Sequence, residues 1–246
     1  MDNEMNVSMF TTPNNFNYSA LEIENLTADS YTIVNVLVDT TGSVYGFESQ
    51  LENCLKEILE SCKKHPRAEN LLLRVAYFNS STGIVEAHGF TLLETINGDY
   101  TIQCEGCTPL YDATLDCIET TEAHAKTLSD QDYDSNGIFF VLTDGWDNAS
   151  SCQSVSTIKD ALDRVRRSEV CESVKAFLIG VNDNERTVKS ALSDFKTAVG
   201  FDDYISIGDV TPSKLAKLAQ WISQSISSQS QAVNSGGASQ NVNFTL

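Results

Sequence analysis

Apolar runs of strand length alternate along this chain with stripes at helical spacing, and that alternation constrains the fold more than any other feature. Residues 33–38 form the first run, and Phe47, Leu51, Cys54, Leu55, Ile58, Leu59 and Cys62 then recur as one helix face. "LLLRVAYF" (71–78), "GIFFVL" (137–142) and "VKAFLIGV" (174–181) are nearly continuous runs, as in strands covered on both faces. Helices are expected near 112–128, through Val155–Val165, through Val188–Val199, and from Thr211-Pro212 through Ile226; "YISI" (204–207) is a last short strand. "GIVEAHGF" (83–90) follows its predecessor too closely for a crossover helix, so it should pair antiparallel as an edge strand. The expected fold is α/β: a doubly wound, mainly parallel six-stranded sheet with one antiparallel edge strand and helices on both faces.

The expected domain covers 30–227. Residues 1–29 are polar and Asn-rich, and 228–246 form a Ser/Gln/Asn-rich tract expected to be a flexible tail. Within it, "NVNFTL" (241–246) alternates apolar residues and could add to a partner as a strand. The 246 residues carry 16 Lys and Arg against 34 Asp and Glu, a formal charge of −18. Such a surface repels phosphate backbones and anionic lipid, which argues against nucleic acid and membrane as partners. The start lacks an apolar leader, no run reaches membrane-span length, and seven scattered cysteines read as reduced thiols; a cytoplasmic protein is expected. Cys104 and Cys107 have redox spacing but do not open a helix after a strand, so packed thiols are the better reading.

The chemistry concentrates where the strands end. "VNVLVDTTGSV" (34–44) breaks at Asp39 into hydroxyl side chains and a glycine, and "GIFFVLTDGWDN" (137–148) breaks at Asp144. In a parallel sheet both acids reach the carboxyl edge, where such sheets bind ligands. Two chemistries suit the cluster: a nucleophilic carboxylate that accepts a phosphoryl group, or a hard cation held by oxygens.

"DTTGS" with Thr108 and "TDG" resembles the metal-ion-dependent adhesion site (MIDAS) of von Willebrand factor type A (vWA) domains, and the order of strands and helices over about 30–226 agrees. The resemblance implies Asp39, Thr41, Ser43, Thr108 and Asp144 as metal ligands, with Thr41 where serine is commoner. Small hydroxyls and two carboxylates suit Mg²⁺, with Mn²⁺ as the alternative, and no soft ligand invites zinc or copper. It further implies a non-enzymatic module that captures an Asp or Glu side chain of another protein. Its intracellular bacterial and viral members work as adaptors or recruiters beside MoxR-type AAA+ ATPases. Tyr45, Tyr111, Trp146 and Asp147 flank the loops and are candidate partner contacts.

The rival is a haloacid-dehalogenase-like phosphotransferase using Asp39 as nucleophile, since "DTTGSV" also resembles that family's nucleophile loop. Against it, the general acid expected two residues on is Thr41, and two strand–helix units follow Asp144. A structural component of a larger assembly is a third reading, with the polar ends as docking arms.

Overall fold

The computed structural model describes residues 7–151, 154–235 and 242–244. Expectations for Cys152 and for the outermost residues of both ends, Leu246 included, lie outside the described residues.

The anticipated strands and helices form. The strands are β1 (Val7–Thr11), β2 (Asn17–Leu21), β3 (Ser30–Asp39), β4 (Leu71–Asn79), β5 (Gly83–Leu92), β6 (Asp134–Thr143), β7 (Ser173–Gly180) and β8 (Asp203–Ser206). The helices are α1 (Glu48–Lys63), α2 (Leu110–Ser129), α3 (Val155–Arg167), α4 (Arg186–Val199) and α5 (Pro212–Ser235). They build one sheet in the order β1-β2-β5-β4-β3-β6-β7-β8. From β4 through β3, β6 and β7 to β8 every pairing is parallel, while β5 runs antiparallel to β4. Side chains alternate across the central strands: Ile33, Leu37, Phe139, Val141 and Leu178 point to the layer of α2, α3 and α4. Val34, Val36, Val38, Phe140, Leu142 and Ile179 point to the layer of α1 and α5. This period of two is why the runs look unbroken in sequence: each residue is buried, on one side or the other.

Two parts of the chain differ from expectation. The sheet has eight strands rather than six, because the polar segment 1–29 supplies a hairpin. Asn15, at φ 64°, turns the chain. The Thr12 amide donates to the Phe16 carbonyl at 2.8 Å and closes the loop. The hairpin then extends the sheet beyond β5, which had been expected at the edge. Its ladder to β5 is brief, with Ala20 opposite Phe90. A side-chain clamp reinforces it: Glu86 of β5 accepts from the Ser19 amide (3.0 Å) and hydroxyl (2.6 Å). Gly89 makes the approach feasible, since a Cβ there would lie 2.0 Å from the Ser19 carbonyl oxygen. Tyr18 stacks on Phe10 with centroids 5.2 Å apart and meets His124 of α2 edge-on.

The described parts of the C-terminal tract also pack. α5 continues past 227, and Gln229 is buried with its amide donating to Ser173 Oγ (2.7 Å) and the Gly137 carbonyl (3.3 Å). Trp221 Nε1 donates to the Val242 carbonyl at 2.7 Å, and the Phe244 ring stands edge-on to the indole at 5.7 Å. Of the tract 228–246 expected to be a flexible tail, residues 228–235 continue α5 and 242–244 lie beside Trp221, while 236–241 and 245–246 lie outside the described residues. The apolar alternation that suggested strand addition to a partner is used at least in part on the chain's own Trp221.

Candidate metal centre at the carboxyl edge of the sheet

β3 delivers Asp39 and β6 delivers Thr143 and Asp144 to the same edge, because the two strands are parallel neighbours in register (Val38 opposite Leu142). The 40–42 segment is held from both sides. The Thr40 amide donates to the Phe78 carbonyl at 3.0 Å and Glu105 N to the Thr40 carbonyl at 3.0 Å; Gly42 N reaches the Gly106 carbonyl at 3.2 Å. Gly106, at φ 71°, adopts a conformation that favours glycine. Its turn carries the chain to Thr108. Asn148 fixes that threonine: its Oδ1 accepts from Thr108 N at 2.7 Å, and its backbone N–H donates to the Thr108 carbonyl at 3.0 Å.

All five sequence-predicted ligands come together. Thr108 Oγ1 donates to Thr41 Oγ1 (3.4 Å), Thr41 and Ser43 hydroxyls share a bond (3.0 Å), and Ser43 Oγ donates to Asp144 Oδ1 (2.8 Å). Asp39 joins through the Thr41 amide on Oδ1 (2.9 Å) and the Thr143 hydroxyl on Oδ2 (2.7 Å). Asp39 is only 1% exposed and Asp144 8%. Burial, and then the charge of Asp144, push the Asp39 carboxyl up to about 7; burial also raises Asp144. Among the described residues, neither acid forms an ion pair with a lysine, arginine or histidine. Keeping two such acids ionised together costs several kcal/mol unless a cation compensates them. Hydroxyl and carboxylate oxygens converging on one point fit a hard divalent ion. With two acids and three hydroxyls the set is not a cluster of three or more His, Cys, Asp or Glu, and no such cluster occurs among the described residues.

The flanking candidates divide. Tyr45 (80% exposed) and Trp146 (46% exposed) stand free at the rim. The Tyr111 ring stacks on Phe195 of α4 at 5.1 Å, so packing already engages one face. Asp147, proposed as a contact, accepts from the Tyr111 amide (3.1 Å) and the Ser150 hydroxyl, fastening the start of α2. Sequence reasoning missed Thr143 and Asn148. The hydroxyl directly preceding Asp144 in "VLTDG" is the one signal that could have marked Thr143. A depression of about 300 Å³ opens over Ser43, Thr108 and Asp144, with Trp146, Asn182 and Glu185 on its wall.

No family model matches the chain, and no curated protein does. Solved structures do. The pilus adhesin SpaC of Lactobacillus rhamnosus GG, in an open conformation, aligns over 92% of this chain and 36% of its own, with TM-score 0.58 and 13% identity. Proximal thread matrix protein 1 from the mussel byssus, described with a zinc-occupied MIDAS motif, aligns over 81% of this chain and 46% of its own (TM-score 0.51, 16% identity). The vWF domain of the type V pili tip protein Mfa5 from Porphyromonas gingivalis aligns over 88% of this chain and 99% of its own (TM-score 0.50, 10% identity). The chain thus spans less than half of the first two and nearly all of the third. Among the described residues no helix is long and apolar enough to cross a membrane. At these identities the likeness speaks to architecture, and in architecture this chain has the fold of the von Willebrand factor type A domains.

Proposed function

We propose that this chain is a non-enzymatic, Mg²⁺-dependent protein-binding module that captures an Asp or Glu side chain of a partner protein. The observation that carries the reading is the meeting of Asp39 and Asp144, buried, bridged through Ser43 and Thr41, and paired with no lysine, arginine or histidine among the described residues. Asp39, Thr41, Ser43, Thr108 and Asp144 would hold the ion, directly or through water. The two carboxylates balance its charge, and the three hydroxyls add none. When bound, the ion supplies a Lewis-acidic position that accepts an anionic oxygen. Thr143 orients Asp39 through Oδ2, and Asn148 fixes the backbone of Thr108. Tyr45 and Trp146 offer apolar surface around the metal, the kind of aromatic anchor that carries binding energy in interfaces.

The structural neighbours named as adhesin, pilus and byssus proteins support a binding role. The adaptor role beside a MoxR-type ATPase, the cytoplasmic setting and the choice of Mg²⁺ rest on the residue types and the family resemblance. Capture of partners from the native host by the intact chain tests the reading: it should be lost in EDTA, return with Mg²⁺, and fail with Thr108→Ala, which deletes a neutral ligand without changing net charge. A partner bound equally well in chelator, or by that variant, would place the interaction on another face. Metal-dependent hydrolysis of a phosphate ester that disappears in Asp39→Asn would instead support the phosphotransferase.

A further inference from the structure

The metal-edge loops have an unusual charge pattern. The six segments 39–47, 79–83, 104–109, 144–154, 181–185 and 207–211 contain no lysine or arginine, and all but 79–83 contain an acidic residue. A partner that approaches with a carboxylate therefore meets loops whose own charged side chains are acidic, with Arg186 at the start of α4 and Lys214, whose ammonium donates to the Ile207 carbonyl at 2.9 Å, as basic groups beside them. The wall of the depression adds a second, separate feature. Trp146 projects into solvent, takes part in no aromatic stacking, and among the described residues has no hydrogen-bond partner for its indole N–H. Glu185 immediately precedes α4; it is exposed, and its carboxylate forms no ion pair or helix-capping bond among the described residues. Both line the depression that Ser43, Thr108 and Asp144 floor. An indole face and an unpaired carboxylate together suit an ammonium or guanidinium group, which the ring attracts through its quadrupole and the acid through its charge.

We propose that the depression is a two-part seat, in which Trp146 and Glu185 bind a lysine or arginine of the partner beside the acidic residue that reaches the metal position. The partner segment recognised is therefore a carboxylate flanked by basic residues. This rests on the metal-dependent reading above and specifies its partner. The pairing solves the electrostatic problem of the face: the basic neighbour steers the segment in against the acidic loops, and the carboxylate then engages the ion. Asn182, exposed on the same wall, offers a neutral amide to the segment's backbone.

Synthetic pentapeptides test the seat on the full chain with Mg²⁺ at low salt, read by calorimetry or by chemical-shift titration. Ac-Lys-Lys-Asp-Lys-Lys-NH₂ should bind at least tenfold more tightly than Ac-Ala-Ala-Asp-Ala-Ala-NH₂, and EDTA should lower it to the level of its Asn counterpart. Ac-Lys-Lys-Asn-Lys-Lys-NH₂ reports adhesion to the acidic surface alone and should not respond to Mg²⁺. Glu185→Gln should remove most of the lysine advantage while leaving the alanine-flanked peptide unchanged, and Trp146→Ala should shrink the ratio between the two Asp peptides. Equal affinity of the two Asp peptides, or a lysine advantage that survives both variants, would overturn the seat with the metal reading intact. Indifference of both Asp peptides to Mg²⁺ would overturn the metal reading itself.

Discussion

Asp116 of α2 and Asp39 at the end of β3 are each 1% exposed, yet the chain treats them differently. Asp116 faces Arg74, whose Nη1 donates to its Oδ2 at 2.9 Å while Nε donates to Glu86 at 2.6 Å. Asn35 completes that cluster, accepting from Arg74 Nη1 at 3.3 Å and donating to the Thr120 and Thr121 hydroxyls at 3.1 and 3.2 Å. Burial raises Asp116, and Arg74 pulls it back. Asp39 has Asp144 for a neighbour and hydroxyls for support, with no guanidinium. Where the chain supplies the cation, the acids fasten β4 and β5 to α2. Where it does not, the acids sit at the sheet's open edge, where the proposed metal would supply the cation. His124 illustrates a third solution. It is buried against Phe90, stacked at 4.7 Å, with neither ring nitrogen hydrogen-bonded among the described residues. It stays neutral because burial lowers it to about 3.

The contrast can be broken most severely at Arg74. Arg74→Met strands Asp116 and Glu86 as uncompensated acids and should cost about 3–5 kcal/mol in denaturant unfolding. A loss below about 1 kcal/mol would mean that the guanidinium does not hold this cluster together. Acid titration probes His124. An unfolded histidine protonates near pH 6.5, whereas the folded ring resists down to about 3. Its contribution to stability is therefore full above about 6.5 and shrinks by up to about 1.4 kcal/mol per pH unit as pH falls through that window. His124→Phe should flatten the slope relative to the parent; parallel curves would show that the ring is charged or solvated in the fold.

Asp39 should respond with the opposite sign to Arg74. In chelator near pH 8, Asp39→Asn removes a buried, uncompensated charge and should stabilise the chain by about 1 kcal/mol, roughly 2–4 °C in Tm. Destabilisation by that substitution would mean that Asp39 is already compensated without metal. The exposed Lys126–Asp130 pair on α2, at 2.9 Å, sets the lower bound of the series. Lys126→Ala should shift stability by less than about 0.5 kcal/mol, and salt should erase the difference.

Much of this was legible in the sequence because local pattern and tertiary demand agreed. The central strands read as unbroken apolar runs, since both faces are covered. Asp39, Thr41, Ser43 and Asp144 fall where those runs stop, and Thr108 lies in the loop before α2. The structural acids were not legible. Arg74 is one charge inside "LLLRVAYF", and its partners Glu86 and Asp116 lie 12 and 42 positions away, so nothing local signals that they meet. The hairpin of β1 and β2 was missed because its alternation is short and Asn-rich. Its burial depends on α2 and on the Ser19–Glu86 clamp rather than on its own periodicity. Composition did not show that the described part of the C-terminal tract would be helical. Its serines and glutamines extend α5, where Gln229 finds buried carbonyls, and Trp221 gathers Val242 and Phe244 from beyond.

The central claim is that Asp39 and Asp144 await a divalent cation, and calorimetric titration of Mg²⁺ into the full chain near neutral pH tests it most directly. The parent should show one saturable site and a stability that rises with free Mg²⁺, by about 2.7 kcal/mol when the ion reaches a hundred times its Kd. Asp39→Ala should show neither, while keeping a cooperative thermal transition. Equal heats of binding in parent and variant, or a parent indifferent to Mg²⁺ and Mn²⁺ alike, would contradict the account.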